Sequence, residues 1–150
     1  MKTSLTTTVR LMMTIEPQEK TLEYKDREGK ERSRVRETLE AFLLGTGLPM
    51  TKIDININKY VANNQYRNVK ITDLYKTFVK NEEDLTTGKK ILIANLELIP
   101  QKNNFSEDGA IASFAPYLHS YEVADATESD LQEIEAIKRN GGVAPEEAAG

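Results

Sequence analysis

The sequence has no cysteine and no tryptophan, only one histidine and only five prolines. Without cysteine the chain has no disulfide, no thiolate metal site and no cysteine nucleophile. The single histidine, His119, cannot make a structural zinc site by itself. Ser120 beside it is no triad signal, because a triad is a spatial arrangement that needs an orienting carboxylate. Gly29, Gly45 and Gly47 do not have the spacing of a phosphate loop. Asp54 is followed on its strand face by Asn56 and Asn58, which is not a metal-ligand cluster. No catalytic residue, metal or cofactor is therefore expected, and the chain reads as a non-enzyme. Long apolar runs are missing as well. Met1 to Ile15 alternates threonines with apolar residues around Arg10, unlike a signal peptide. Nothing approaches the ~20 apolar residues of a membrane helix. The expected location is the cytoplasm.

The charge is unevenly spread. Residues 1–103 carry 18 Lys and Arg against 14 Asp and Glu, whereas residues 104–150 carry 2 against 10. A body of +4 and an end of −8 give the overall −4. A mildly basic body with an acidic tail is a different object from a uniformly acidic protein. The bland alternative is that the acidic end serves solubility.

Residues 3–15 alternate Val9, Leu11, Met13 and Ile15 among threonines, a strand pattern that Pro17 ends. Thr21 to Lys25 starts a second strand. Asp26-Arg27-Glu28-Gly29 is turn chemistry, with Gly29 free to take a positive φ. Lys30 to Leu44 has a composition that suits a helix, but the preceding turn between two charged arms favours one long hairpin. Lys52 to Lys59 alternates Ile53, Ile55 and Ile57 with Asp54, Asn56 and Asn58. Residues 63–65 form a loop. Arg67 to Val79 reads as a strand followed by a turn of helix, and Asn81 to Gly88 as an acidic loop. Lys90 to Ile99 is apolar on both faces and reads as the final strand, stopped by Pro100. The expected fold is all-β: a small OB-like barrel of five to six strands with a protruding basic hairpin. This body spans residues 1–102. Residues 103–150 are expected to form an acidic C-terminal extension. Within it, residues 103–124 lack a firm period, 127–139 form a short helix capped by Thr127 and Asp130, and the end is mobile.

Lys30, Arg32, Arg34 and Arg36 are spaced two apart, so on a strand they project to one face. Lys25, Arg27 and Tyr24 lie on or near the opposing arm. A row of like charges gains nothing in an isolated domain, whereas a polyanion along it releases counterions. Glu28, Glu31 and Glu37 fall mostly on the other face. The alternative is a solvated hairpin whose charges keep an edge strand from pairing. Single strands also need surfaces on which bases stack. Tyr24, Tyr60, Tyr66 and Tyr75 supply candidates, with Lys59, Arg67 and Lys76 adjacent in sequence. The expected DNA-contacting set is thus Tyr24, Lys25, Arg27, Lys30, Arg32, Arg34, Arg36, Lys59, Tyr60, Tyr66, Arg67 and Tyr75.

The order of these features resembles the gene V single-stranded-DNA-binding proteins of filamentous phages. The resemblance rests on Asp26-Arg27-Glu28-Gly29-Lys30, similar to that family's basic wing tip. It also rests on Leu48-Pro49 before Lys52-Ile53, and on residues 91–102, which end in a similar Leu-x-Leu-φ-Pro pattern. It covers roughly residues 21–102. It implies an OB-like dimer that coats single strands in phage or mobile-element replication, with Arg27 and Lys30 as the residues that transfer best. Arg32 stands where the family often has an aromatic, and Asn95 where it has a base. The extension has the layout of acidic tails that recruit replication proteins, without their terminal aromatic. Two other functions share these features. One is a protein-interaction or assembly module with Phe105, Phe114, Tyr117 and the stripe from Leu131 to Ile137 buried against a partner. The other is an RNA-binding OB domain.

Overall fold

The computed structural model describes residues 5–47, 50–61, 64–102 and 112–140. The strands are β1 (Leu5–Met12), β2 (Gln18–Lys25), β3 (Glu31–Leu44), β4 (Lys52–Asn56), β5 (Asn58–Val61), β6 (Asn64–Arg67), β7 (Lys90–Lys102) and β8 (Ala112–Asp125). The helices are α1 (Ile71–Lys80), α2 (Glu82–Thr87) and α3 (Glu128–Arg139). β1 pairs antiparallel with both β3 and β7. β3 pairs with β4, β7 with β8, and β4 meets β8 in parallel at Asn56 and Tyr117. The ring β1-β3-β4-β8-β7 is closed, a five-stranded barrel of the OB kind. β2 lies outside the ring and pairs with the N-terminal half of β3 over eight residues. The all-β barrel and its protruding hairpin are thus as the sequence suggests.

Strand alternation places the core. Leu11, Met13, Leu39, Ala41, Ile55, Ile57, Leu92, Ala94, Leu96 and Leu118 fill the interior. Ile71, Leu74 and Phe78 of α1 and Leu85 of α2 join that cluster. Their i, i+3, i+7 spacing marks one face of a helix, so the turn of helix expected at the end of residues 67–79 is the longer α1, and α2 stands where a loop was expected. Asn81 closes α1, donating its backbone N–H to Thr77 and Phe78. The alternate residues Met12, Phe42, Leu44 and Ile91 point outward and form a second cluster with Ile134 and Ile137 of α3. That is why β7 is apolar on both faces: one lines the barrel, the other meets α3.

The division at residue 102 does not hold. β8 pairs with β7 from Lys90↔Asp125 to Lys102↔Ala112, so it is a barrel strand rather than part of an extension. Its period is hidden by a bulge. Asn95 pairs with Ser120 and Leu96 with Leu118, leaving His119 as the extra residue. A bulge switches the facing of the side chains beyond it, so Leu118, Tyr121 and Val123 all reach the interior cluster. Pro100 does not stop β7 either. It pairs with Phe114, beyond Leu98, where the described pairing with β1 ends. Among the described residues no β1 partner stands opposite Pro100, and a proline is tolerated at such a one-sided strand position.

α3 is the expected helix, now a docked element. Asp130 accepts from the Thr127 backbone N–H, and Thr127 Oγ1 accepts from the Asp130 N–H, a capping box. The same carboxylate binds Arg10 of β1 through Nε at 3.0 Å and Nη2 at 2.6 Å. Glu133 accepts the Gly45 N–H at 2.9 and 3.0 Å. Gly88 ends α2 at φ 84°, where a Cβ would lie 2.5 Å from Ile134 Cγ2.

Two outcomes follow from this docking. The Arg10 guanidinium, with help from the Thr127 N–H, holds the Asp130 carboxyl below its ordinary range. A carboxyl lowered on folding stabilises the fold above its unfolded pKa of about 3.9, and that contribution is lost as pH falls through the lower folded value. Asp130→Ala removes both the cap and the ion pair. It should cost about 2 kcal/mol at neutral pH in urea unfolding, with the deficit shrinking below about pH 4. Gly88→Ala combines a positive φ with a clash against a β-branched side chain. It should destabilise by more than about 1 kcal/mol in the same assay.

Candidate nucleic-acid interface

The β2–β3 hairpin has two chemically different faces, and the register fixes them. Lys20 stands opposite Arg36, Leu22 opposite Arg34 and Tyr24 opposite Arg32. Directly opposed residues share a face, so this face carries four cations, a leucine and a tyrosine. The other face opposes Glu19 to Glu37, Thr21 to Val35, Glu23 to Ser33 and Lys25 to Glu31. The acidic residues are therefore segregated behind the arginines, as alternation in the sequence suggests. Lys25 falls on the acidic face and not beside Tyr24.

The tip is built around Asp26. Its Oδ1 accepts from the Glu28 and Lys30 N–H groups, and its Oδ2 from Arg32 Nε at 3.0 Å. The Lys30 N–H and then the Arg32 guanidinium hold the Asp26 carboxyl below its ordinary value. Gly29 takes φ 81°, as the turn requires. Arg27 and Lys30 are exposed at this tip, and Tyr24 is 48% exposed.

Arg36 joins the hairpin to the barrel wall. Its Nε donates to Asn56 Oδ1 at 2.8 Å, and its Nη2 lies 3.3 Å from Asp54 Oδ2. Asn56 Nδ2 in turn donates to the Pro116 carbonyl at 3.1 Å, so one amide ties β3, β4 and β8 together. Asn58 continues the seam, with its Oδ1 accepting from the Glu37 N–H at 3.3 Å. Between the hairpin and the start of β8 lies a cleft of about 460 Å³. Leu22, Arg34 and Arg36 line one side, Phe114 to Tyr117 the other, with Asp54, Asn56 and Asn58 between them. Phe114 is 52% exposed, which does not fit a buried packing role within this chain.

The structure brings Tyr24, Arg32, Arg34 and Arg36 onto one surface and adds Leu22, Phe114 and Tyr117. Lys59, Tyr60, Tyr66 and Arg67 lie in the β5–β6 hairpin, where Lys59 opposes Tyr66. That hairpin begins at Asn58, which borders the cleft. The side chains of those four residues lie outside what the structure describes, as do Phe105 and the acidic end, residues 141–150. Tyr75 is an exposed residue of α1, a helix whose described contacts run to Tyr121 and the interior cluster rather than to the hairpin. Phe114 and Tyr117 were legible only as aromatics in a segment without a period; the bulge concealed their strand. Among the described residues no cluster of His, Asp and Glu forms a metal site, and no helix is long and apolar enough to cross a membrane. Comparison with protein-family models, with curated proteins and with solved structures finds no match to this chain.

The amide of Asn56 makes two hydrogen bonds at the thinnest seam of the barrel. Asn56→Ala should lower stability by about 1–3 kcal/mol. Amide exchange should accelerate in β4 and at the start of β8, with the β1–β7 ladder unchanged.

Proposed function

We propose that this chain binds single-stranded DNA with little sequence preference, along the arginine face of the hairpin and into the cleft beside Phe114. The observation that carries this reading is one continuous surface on which Arg32, Arg34 and Arg36 lead to exposed aromatic side chains. Arginines along a groove neutralise a phosphate backbone and release counterions. Aromatic rings stack on any base, which gives affinity without sequence readout. The position in the fold supports it as well. OB barrels bind oligonucleotides on the face of their second and third strands and with the loops between strands one and two and strands four and five. Here β3 and β4 are the second and third barrel strands, and the β2–β3 hairpin extends the first of those loops. The gene V resemblance adds a context, the coating of single strands in phage or mobile-element replication. In this reading Arg27 and Lys30 reach phosphate from the tip, and Arg36 serves partly as a tether to Asp54 and Asn56.

The test is fluorescence anisotropy with a labelled oligothymidylate at 50 and 200 mM salt. Four phosphate contacts, from Arg27, Lys30, Arg32 and Arg34, at a slope of about −0.7 each weaken binding roughly 50-fold across that range. Replacing Arg32 and Arg34 by alanine should weaken binding to all sequences alike and flatten the salt slope by about 1.4. Phe114→Ala should cost about 1–3 kcal/mol of affinity with the slope unchanged. No binding at the lower salt removes the proposal. Tighter binding of the matching oligouridylate would turn it toward RNA.

A further inference from the structure

β2 forms the outer edge of the six-stranded sheet and, among the described residues, pairs only with β3. Natural edge strands are usually kept short, bulged or interrupted by proline, because an open row of N–H and C=O groups invites pairing. β2 has none of these devices. It runs Gln18–Lys25, pairs in unbroken register with β3, contains no proline or glycine, and is exposed at every position from Glu19 to Lys25 except the half-buried Leu22. It does carry charges, which also discourage indiscriminate pairing.

We infer that β2 is a dimerisation edge: two copies of this chain pair β2 to β2, antiparallel, about a two-fold axis at Leu22. The argument is charge complementarity in the one favourable register. A two-fold perpendicular to the sheet keeps the same face up in both copies, so one residue must oppose its own copy. Centring on Leu22 opposes Glu19 to Lys25, Lys20 to Tyr24, Thr21 to Glu23 and Leu22 to Leu22. The symmetry supplies the first three pairs twice. Opposite charges and cation–aromatic neighbours stabilise directly opposed positions, whereas like charges destabilise them. The neighbouring registers fail on this count. Centring on Lys20 sets Lys20 against itself, and centring on Thr21 sets Glu19 against Glu23. Centring on Glu23 sets that glutamate against itself, and centring on Tyr24 engages only residues 23–25.

The dimer joins the two hairpins into a four-stranded sheet with both arginine faces on one side. Arg34 and its copy stand three strand spacings apart, about 14 Å, beyond the Debye length of about 10 Å at 0.1 M salt. The cations therefore widen one basic surface without strongly opposing the pairing. That consequence rests on the proposed DNA binding; the pairing itself does not, and its test contains no nucleic acid.

The absence of natural cysteine makes the register directly readable. Leu22→Cys should give a disulfide-linked dimer of the full chain under mild oxidation, and Thr21→Cys, opposite Glu23 of the other copy, should not. In sedimentation equilibrium the unmodified chain should be a dimer. Glu19→Lys should raise its dissociation constant by about tenfold or more. Adding Lys25→Glu to that variant, with Glu31→Lys to keep an opposite charge across from it within the hairpin, should restore it to within about threefold, because the opposite-charge pair re-forms with its signs exchanged. Within one chain Glu19 stands opposite Glu37, so Glu19→Lys does not weaken the hairpin itself; circular dichroism checks that the fold is kept. A chain that stays monomeric at all concentrations overturns the inference. So does a dimer that Leu22→Cys fails to cross-link, or one whose strength Glu19→Lys leaves unchanged.

Discussion

The organisation of the molecule depends on the pleat of one strand. β3 runs fourteen residues without interruption and serves two structures in turn. Its C-terminal half is barrel wall, with Leu39, Ala41 and Leu43 packed toward the interior. Its N-terminal half is an arm of the hairpin. Side chains alternate strictly along a strand, and a slip of one residue would send the whole set to the other face. Burial of Leu39 and Ala41 therefore decides where Arg36, Arg34 and Arg32 point. They must lie on the outside, on the same side as Asp54 and Asn56 of β4. The core thus orients the cations, although no core residue touches them.

That constraint sets a direction but not a stable position, because an arm leaving a barrel is free to bend. Two polar devices hold it. At the root, Arg36 is fastened to Asn56, and Asn56 to the Pro116 carbonyl. At the tip, Asp26 gathers two backbone N–H groups and the Arg32 guanidinium. Both devices use charge-assisted or amide hydrogen bonds, which are directional where apolar contacts are not. Arg34, between them, has no ion pair among the described residues; its neighbours are Leu22 and the cleft.

How much of this was legible in the sequence differs by element, for physical reasons. The hairpin was legible because its signals are local: a turn with Asp26 and Gly29, and charges two apart. α3 was legible because a capping box and a terminal pair of cations mark both ends of a helix. β8 was not, because the bulge at His119 breaks the period of two on which strand recognition depends. α1 was legible only as a turn of helix because Val69 and Ile71 continue a strand alternation just where the spacing of Ile71, Leu74 and Phe78 takes over. Pro100 looked like a terminator because sequence cannot say which partners β7 has beyond Leu98. The candidate site was half legible for the same reason: its cations belong to the hairpin, and Phe114 and Tyr117 belong to the concealed strand.

The concealed strand also changes the meaning of the acidic C-terminal part. Six of its acids, Glu122, Asp125, Glu128, Asp130, Glu133 and Glu135, stand in β8 and α3. Asp130 and Glu133 are spent on holding α3 to Arg10 and to Gly45. α3 covers the outward residues of β1, of the C-terminal end of β3 and of the start of β7. The cleft lies elsewhere, at the N-terminal half of β3, β4 and the first residues of β8. The acids of α3 and the arginine face of the hairpin thus stand on different parts of one barrel, while the hairpin keeps Glu19, Glu23, Glu31 and Glu37 on its opposite face. At physiological salt the field of an exposed charge fades over about 8 Å, so a phosphate at the hairpin responds to the arginines beside it more than to acids across the barrel. A net charge of −4 therefore does not by itself exclude a polyanionic partner.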